Sequence, residues 1–230
     1  MDFNKVIAII PARSGSKSIK NKNIKKLGNK HLIGWSIETC LKSKFISKVY
    51  VSTDSKKYAK IAKQYGPVEI LLRPKKISSD LSTDYQMIKH AIENIDPNYG
   101  YIAHIRPTTP LRKISDLNSA IKNFINSKFT SLRSIHEMSE TSYKSFEVFK
   151  GYLKPLKNLN LSIDELNAPR QNFNKTYFPN GIIDIYKKNF ILENKKLFGN
   201  NVKAFKTRYT HEIDTLEDFK YIEYLWKKKK

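Results

Sequence analysis

The chain has 230 residues, 40% of them hydrophobic and 28% charged, which suits one α/β domain with an appendage and excludes a disordered or collagen-like chain. No apolar run reaches the roughly 18 residues that span a bilayer, and residues 1–5 lack a signal peptide's basic-then-apolar order, so a cytoplasmic protein with no membrane insertion is expected. A formal charge of +22 points to a polyanionic partner, but Lys far outnumbers Arg and is scattered rather than grouped with aromatics, so nucleic-acid binding stands only as an alternative of another class.

Residues 5–10 form a short β-branched run that stops at Pro11, as in a buried strand feeding a loop. After a polar, basic loop, Ile33, Ile37, Cys40 and Leu41 recur at helical spacing within 31–44, and 48–52 reads as a second strand. Cys40 is the single cysteine, which excludes an internal disulfide and a zinc site of paired thiolates. A helix over 56–65, a strand at 69–72 and a helix over 84–95 follow, the last introduced by the capping-box spacing of Thr83 and Gln86. Next come a strand at 101–105, a helix over 114–127 carrying Leu117, Ile121 and Phe124, and a strand at 130–135. Alternating strands and helices predict a mostly parallel sheet with flanking helices. The alternation breaks over 136–177, a functional excursion or a subdomain. It resumes with strands at 181–186 and 202–205 and a closing helix, opened by Thr215, that carries Leu216, Phe219, Ile222 and Trp226. Lys227 to Lys230 form a low-complexity tail.

In doubly wound sheets ligands sit beyond the carboxyl ends of the strands, so the loop after the first strand is the place to look. It sets Arg13, Lys17 and Lys22 around Gly15, Ser14 and Ser16, supplying cations and backbone N–H groups for a polyphosphate. Neither a Walker loop nor a G-x-G-x-x-G is present, which weighs against kinases and dehydrogenases. Near the other end, Glu212 and Asp214 stand two apart, which puts both carboxylates on one side of an extended segment, a pair that suits Mg²⁺. Asp214 also lies where it would cap the last helix with Thr215. Asp54 and Asp80 each precede a predicted helix, a place Asp occupies for structural reasons. None of the five histidines pairs at ligand spacing with another.

The segment from Ala12 and Arg13 through Gly15, Ser16, Lys17, Lys22, Asn23 and Ile24 resembles the first signature of the CMP-sialic acid synthetases, the N-acylneuraminate, legionaminate and pseudaminate cytidylyltransferases. Ser52-Thr53-Asp54, Arg73-Pro74, Ser79-Asp80, the run Arg106 to Arg112, Pro169-Arg170-Gln171, Asn180-Gly181 and Glu212 to Thr215 are similar to later signatures, in order. The resemblance implies a Rossmann-like, glycosyltransferase-A-like nucleotidyltransferase fold and transfer of CMP from CTP to the anomeric hydroxyl of an acidic nine-carbon sugar, with pyrophosphate leaving. It implies Arg13, Lys22, Glu212 and Asp214 as catalytic residues, with Mg²⁺ on Asp214 and Glu212. CTP would be held by Ala12, Ser16 and Lys17, with Asn23 and Arg73 reading the cytosine and Ser82 assisting, and the sugar by Arg106, Arg170, Gln171 and Asn180. Glu212 replaces the family's usual Asp, and Arg106 its usual Gln; Arg106 is free to pair with a neighbouring acid instead. The proton acceptor is open between Glu212 and a hydroxide on the metal. Residues 1–137 would form the nucleotide-binding core, 138–178 a dimerisation extension, and 179–230 the remainder of the core, in a homodimer. A cytidylyltransferase for the eight-carbon Kdo and a nucleotide-sugar glycosyltransferase are the competing enzymes.

Overall fold

The computed structural model describes residues 5–125, 127–156 and 161–228. The chain start, part of the excursion and the end of the Lys tail, Lys229 and Lys230, lie outside these residues.

The elements in chain order are β1 (Val6–Pro11), β2 (Lys26–Leu27), β3 (Lys30–His31), α1 (Leu32–Leu41), β4 (Ile46–Thr53), α2 (Lys56–Lys63), β5 (Glu69–Leu72), α3 (Asp84–Glu93), β6 (Tyr101–His104), α4 (Ile114–Phe124) and β7 (Ser131–Glu137). They continue with β8 (Phe146–Phe149), β9 (Tyr152–Pro155), α5 (Ile163–Leu166), β10 (Tyr177–Lys187), α6 (Lys188–Asn194), β11 (Val202–Lys206) and α7 (Leu216–Lys227). Seven strands make one sheet in the order β11-β7-β10-β6-β1-β4-β5. All its pairings are parallel except those of β10, which runs against both β6 and β7.

Side chains alternate across a strand, and β1 shows it plainly. Val6, Ala8 and Ile10 join Ile33, Ile37, Cys40, Tyr58, Leu117, Ile121 and Phe124, so α1, α2 and α4 cover one face. Ile7 and Ile9 join Met87, Ile88, Tyr186 and Ile191, so α3 and α6 cover the other. Burial on both faces explains why β1 reads as an unbroken apolar run.

A third cluster, outside the sheet, sets up the site. Ile19 from the basic loop, Leu27, Leu32 and Ile213 pack against Phe219 and Ile222 of α7, with Trp226 alongside. It fastens the loop after β1 to the segment before α7, although the two are far apart in sequence. Gly28, at φ +62°, lies under the Trp226 ring, where a Cβ would collide with it; only glycine meets both demands.

Thr83 and Gln86 complete the capping box expected of α3, and Thr215 and Asp218 form another at the start of α7. Several bounds differ from expectation: α1 ends at Leu41, α3 at Glu93, and β10 begins at Tyr177. The excursion contains the separate antiparallel pair β8–β9 and the short α5. It leaves at Glu137 and returns at Tyr177, which are paired neighbours on β7 and β10. Further along that ladder the register breaks: Ile135 faces Pro179 and Arg133 faces Asp184, so Ser134 alone opposes Asn180, Gly181, Ile182 and Ile183. Such a bulge bends the strand. Here the break spans Gly181, which is at φ +64°.

Candidate active site

A cavity of about 560 Å³ opens at the carboxyl ends of β1 and β6, lined by Arg13, Ser16, Lys17, Lys22, Asn23, Arg73, Ser82, Arg106, Glu212 and Asp214 among others. Those ten are residues anticipated from the sequence, drawn from segments as distant as the first loop and the approach to α7.

The first loop is held from below by Asp54. Its carboxylate accepts from Ser14 N and Ser14 Oγ, both at 2.8 Å; Asp54 is structural as expected, but it anchors the loop, and Ser55 rather than Asp54 caps the following helix. Asn23 is buried and donates through Nδ2 to the Arg13 carbonyl at 3.0 Å, closing the loop on itself. Asn21 adopts a left-handed conformation at φ 58° and turns the chain, so that Lys22 faces the approach to α7. Lys22 Nζ donates to the Ile213 carbonyl at 2.9 Å and to Asp214 Oδ1 at 3.1 Å.

Ile213 is fully buried in the cluster under α7. Alternation then turns its neighbours Glu212 and Asp214 the opposite way, into the cleft. Glu212 Oε1 accepts from Thr108 Oγ1 at 2.6 Å, and its carboxylate lies against Gly181. Asp214 does not cap α7; Thr215 and Asp218 do that. Oxygen donors at these two positions suit a hard cation that keeps further sites for phosphate and water. Among the described residues no group of three or more His, Cys, Asp or Glu is placed to hold a metal by itself.

Arg73 is not a surface ion-pair residue. Only 8% exposed, it donates from Nε to Ser52 Oγ at 3.2 Å and from Nη2 to the Ser52 carbonyl at 2.9 Å. Burial pushes its guanidinium below the ordinary value, against the pull of Asp54. A cation so fixed at a cleft wall is a preorganised donor for a ligand.

Arg106 lines the cleft but is already engaged. Nη1 donates to Asp184 Oδ2 at 2.7 Å and Nη2 to Asp84 Oδ2 at 2.8 Å. Burial works against its charge, and Asp184 and Asp84 outweigh it, holding the guanidinium above its ordinary value. Arg133 reaches Asp184 Oδ1 at 3.2 Å from the other side. His104 lies beneath, fully buried, and burial pushes it down to about 4, so it is neutral at pH 7. Arg106 therefore braces the base of the cleft, the acid-pairing role left open for it, and presents no free fork to a sugar carboxylate.

Other anticipated residues fall outside this cavity. Ala12 is in the core, its N–H extending the β1–β4 pairing to the Ser52 carbonyl at 2.8 Å. Asn180 is 1% exposed and its carboxamide is spent on Thr207 Oγ1 and Ile182 N. Arg170 and Gln171 line a second cavity with Glu137, Thr141 and Phe173, where Arg170 donates to the Met138 carbonyl at 2.7 Å and to Glu137 Oε1 at 3.2 Å. Within one chain they do not share the cleft of Arg13 and Asp214.

Sequence reasoning overlooked two groups, Thr108 and Arg112, and gave a third, Asp80, the wrong place. Thr108 steers Glu212, and its place in the Arg106 to Arg112 motif was a usable signal. Arg112, buried and pushed down to about 10 by that burial, donates to Ser36 Oγ at 2.7 Å and to the Arg106, Ile182 and Gly181 carbonyls, locking this loop to α1 and β10. Asp80 does not cap a helix: its two oxygens take Arg13 at 2.7 Å and Lys17 at 2.6 Å.

The family model described as cytidylyltransferase matches residues 7–230. The chain is similar to the N-acylneuraminate cytidylyltransferase of Escherichia coli O18:K1:H7, 35% identical over 221 residues that cover 94% of this chain and 50% of that protein. It is also similar to the CMP-N,N'-diacetyllegionaminic acid synthase of Legionella pneumophila, 30% identical over 232 residues that cover 96% of each. Against the first relatives the chain spans about half their length, 50% and 52%. A solved CMP:2-keto-3-deoxy-manno-octonic acid synthetase complexed with CTP superposes with a TM-score of 0.75 over 98% of this chain and 100% of that one, at 14% identity, a likeness of fold.

Proposed function

We propose, for a chain that belongs to the cytidylyltransferase family, that it transfers CMP from CTP to the anomeric hydroxyl of an acidic nine-carbon sugar and releases pyrophosphate. The observation that carries this reading is the cleft itself, where Arg13, Lys17 and Lys22 face the carboxylates of Glu212 and Asp214 at the end of β1.

The sugar hydroxyl attacks the α-phosphorus in line, and the bond from that phosphorus to the β-phosphate oxygen breaks. Negative charge grows on the departing pyrophosphate. Arg13 and Lys22 are held by hydrogen bonds at the cleft, with the exposed Lys17 beside them, and cations there stabilise the growing charge of the transition state more than the ground state. Arg73 and Asn23, both anchored to backbone, present polar groups to the base. Mg²⁺, held by Glu212 and Asp214, would supply shielding of the phosphate oxygens. Thr108 keeps Glu212 aimed into the cleft, and Glu212 is the candidate carboxylate for the hydroxyl proton.

The reading extends to a cytoplasmic homodimer. The β8–β9 pair supports it, exposing Val148 and Tyr152 at 74% each, with Phe149 and Leu153 beside them, since apolar surface of this kind marks an interface. Arg170 and Gln171 are proposed as sugar contacts within such an assembly.

The test is incubation of the purified protein with CTP, Mg²⁺ and, separately, sialic, legionaminic and pseudaminic acids and Kdo. Pyrophosphate release and product mass are the readouts. A CMP-nonulosonate is expected. Turnover of Kdo alone, or steeply salt-dependent RNA binding without CTP consumption, overturns the proposal.

A further inference from the structure

The three cations of the first loop that line the cleft, Arg13, Lys17 and Lys22, each have a carboxylate partner. Lys22 is on Asp214, a partner already placed in the chemistry. Arg13 and Lys17 share Asp80, which the reaction does not otherwise use. The two oxygens of one carboxylate span two cations here, an arrangement that a phosphate group reproduces with two of its own oxygens.

The surroundings of Asp80 separate it from the other aspartates of the site. Asp54 holds the backbone and hydroxyl of Ser14, and Asp84 and Asp184 brace Arg106. Among the described residues, Asp80 holds only the two cations that would take a ligand. It stands in an exposed stretch before α3, next to Leu81, which is 92% exposed, and the capping of α3 is done by Thr83 and Gln86. The hydrogen bonds from Lys17 and then Arg13 hold its carboxyl below the ordinary value, so it is an anion at neutral pH. Lys17 itself is a long side chain, 83% exposed, with no burial to fix it. Contacts of this exposed kind exchange readily for a more highly charged partner.

We propose that Asp80 is a resident counter-anion, which occupies Arg13 and Lys17 while the cleft is empty and competes with pyrophosphate for them after the reaction. This rests on the reading of the cleft as a CTP site. A triphosphate carries enough charge to displace one carboxylate. Once the α-phosphorus bond has broken, Asp80 returns against a smaller anion. Asp80 thus raises the threshold for anion entry and speeds product departure, acting as a positioning residue through Arg13 and Lys17.

The experiment is calorimetric titration of inorganic pyrophosphate into the wild-type chain, Asp80→Asn and Glu69→Gln, the last losing a remote surface carboxylate paired with Lys48. Apparent affinity scales with the fraction of molecules whose cations are free, so Asp80→Asn is expected to bind pyrophosphate roughly three- to tenfold more tightly. Glu69→Gln should bind as the wild type does. In turnover, Asp80→Asn should lower the KM for CTP and the inhibition constant of pyrophosphate together. If Asp80 merely orders the loop, its loss weakens binding, the opposite sign. Equal or weaker binding by Asp80→Asn, the same gain in Glu69→Gln, or no pyrophosphate binding by any of the three overturns the inference. Tighter pyrophosphate binding with no CMP transfer by the wild type would instead leave the counter-anion standing and remove the proposed function.

Discussion

Replacing Arg106 with Gln tests whether this residue braces the cleft. Among the described residues, the change removes one of two cations paired with Asp184, which is 2% exposed, and the only ion-pair partner of Asp84 with a full charge at pH 7. Removing one partner of a buried ion pair costs about 3–5 kcal/mol. Arg133 stays on Asp184 at 3.2 Å, the Gln amide retains a donor, and the Asp84 side chain is 47% exposed, so its share is screened; about 2 kcal/mol remains. In a chain of this size that corresponds to a fall in Tm of about 4–8 °C. Thermal and urea unfolding of the wild type, Arg106→Gln, Asp184→Asn and the double variant supply the cycle. Arg133 reaches water, so the double variant should recover about 1 kcal/mol relative to the sum of the singles. A Tm drop below about 1 °C for Arg106→Gln, or strict additivity in the double, would refute the brace.

Lys22→Ala removes the cation that joins the first loop to Asp214, and kcat for CMP transfer should fall on the order of 10²- to 10³-fold; a loss within threefold in steady-state assays would contradict its placement. Gly181→Ala puts a Cβ at φ +64°, 2.7 Å from Thr109 Oγ1 and 3.1 Å from both Glu212 oxygens, so urea unfolding should show a loss of about 1–3 kcal/mol and the same variant should lose turnover. His104 is neutral in the fold, pushed down to about 4 from 6.5, so its contribution is complete above pH 6.5 and is lost as pH falls toward 4, when the unfolded chain takes up a proton that the folded chain refuses. That is worth up to about 3 kcal/mol, and His104→Asn should flatten the urea midpoint across that window. Burial pushes the Cys40 thiol up to about 12, so a thiol reagent should label it at the rate of unfolding, and faster labelling under native conditions would contradict its burial.

What could be read from the sequence was chiefly what is written locally. The capping box at Thr83 and Gln86 involves residues three apart, and the apolar run of β1 declares a strand buried on both faces. α6 went unnoticed because Ile191 is its one buried residue, which leaves no stripe to count. The β8–β9 pair escaped for the same reason, being largely exposed. The opposite direction of β10 is a property of its connections and leaves no mark in its residues. In the site, residue type indicated a role but not whether that role was already filled. Arg106 and Asn180 are polar and well placed, yet Asp84, Asp184 and Thr207, which use up their hydrogen bonds, are distant in sequence. Asp80 and Arg13 are separated by four strands and two helices, so nothing local announces their contact.

Because Glu137 and Tyr177 are ladder neighbours, the sheet treats the whole stretch between them as the tip of a single hairpin. The entropy of closing such a tip grows only slowly with its length, so the core hardly registers how long it is or what it contains. Its root stands on the same rim as the cleft, at the carboxyl end of β7. The tip can therefore change in length or content while the cleft at the ends of β1 and β6 keeps its geometry. The reversed strand β10 makes that possible: a parallel strand in its place would have sent the chain back under the sheet before it could return.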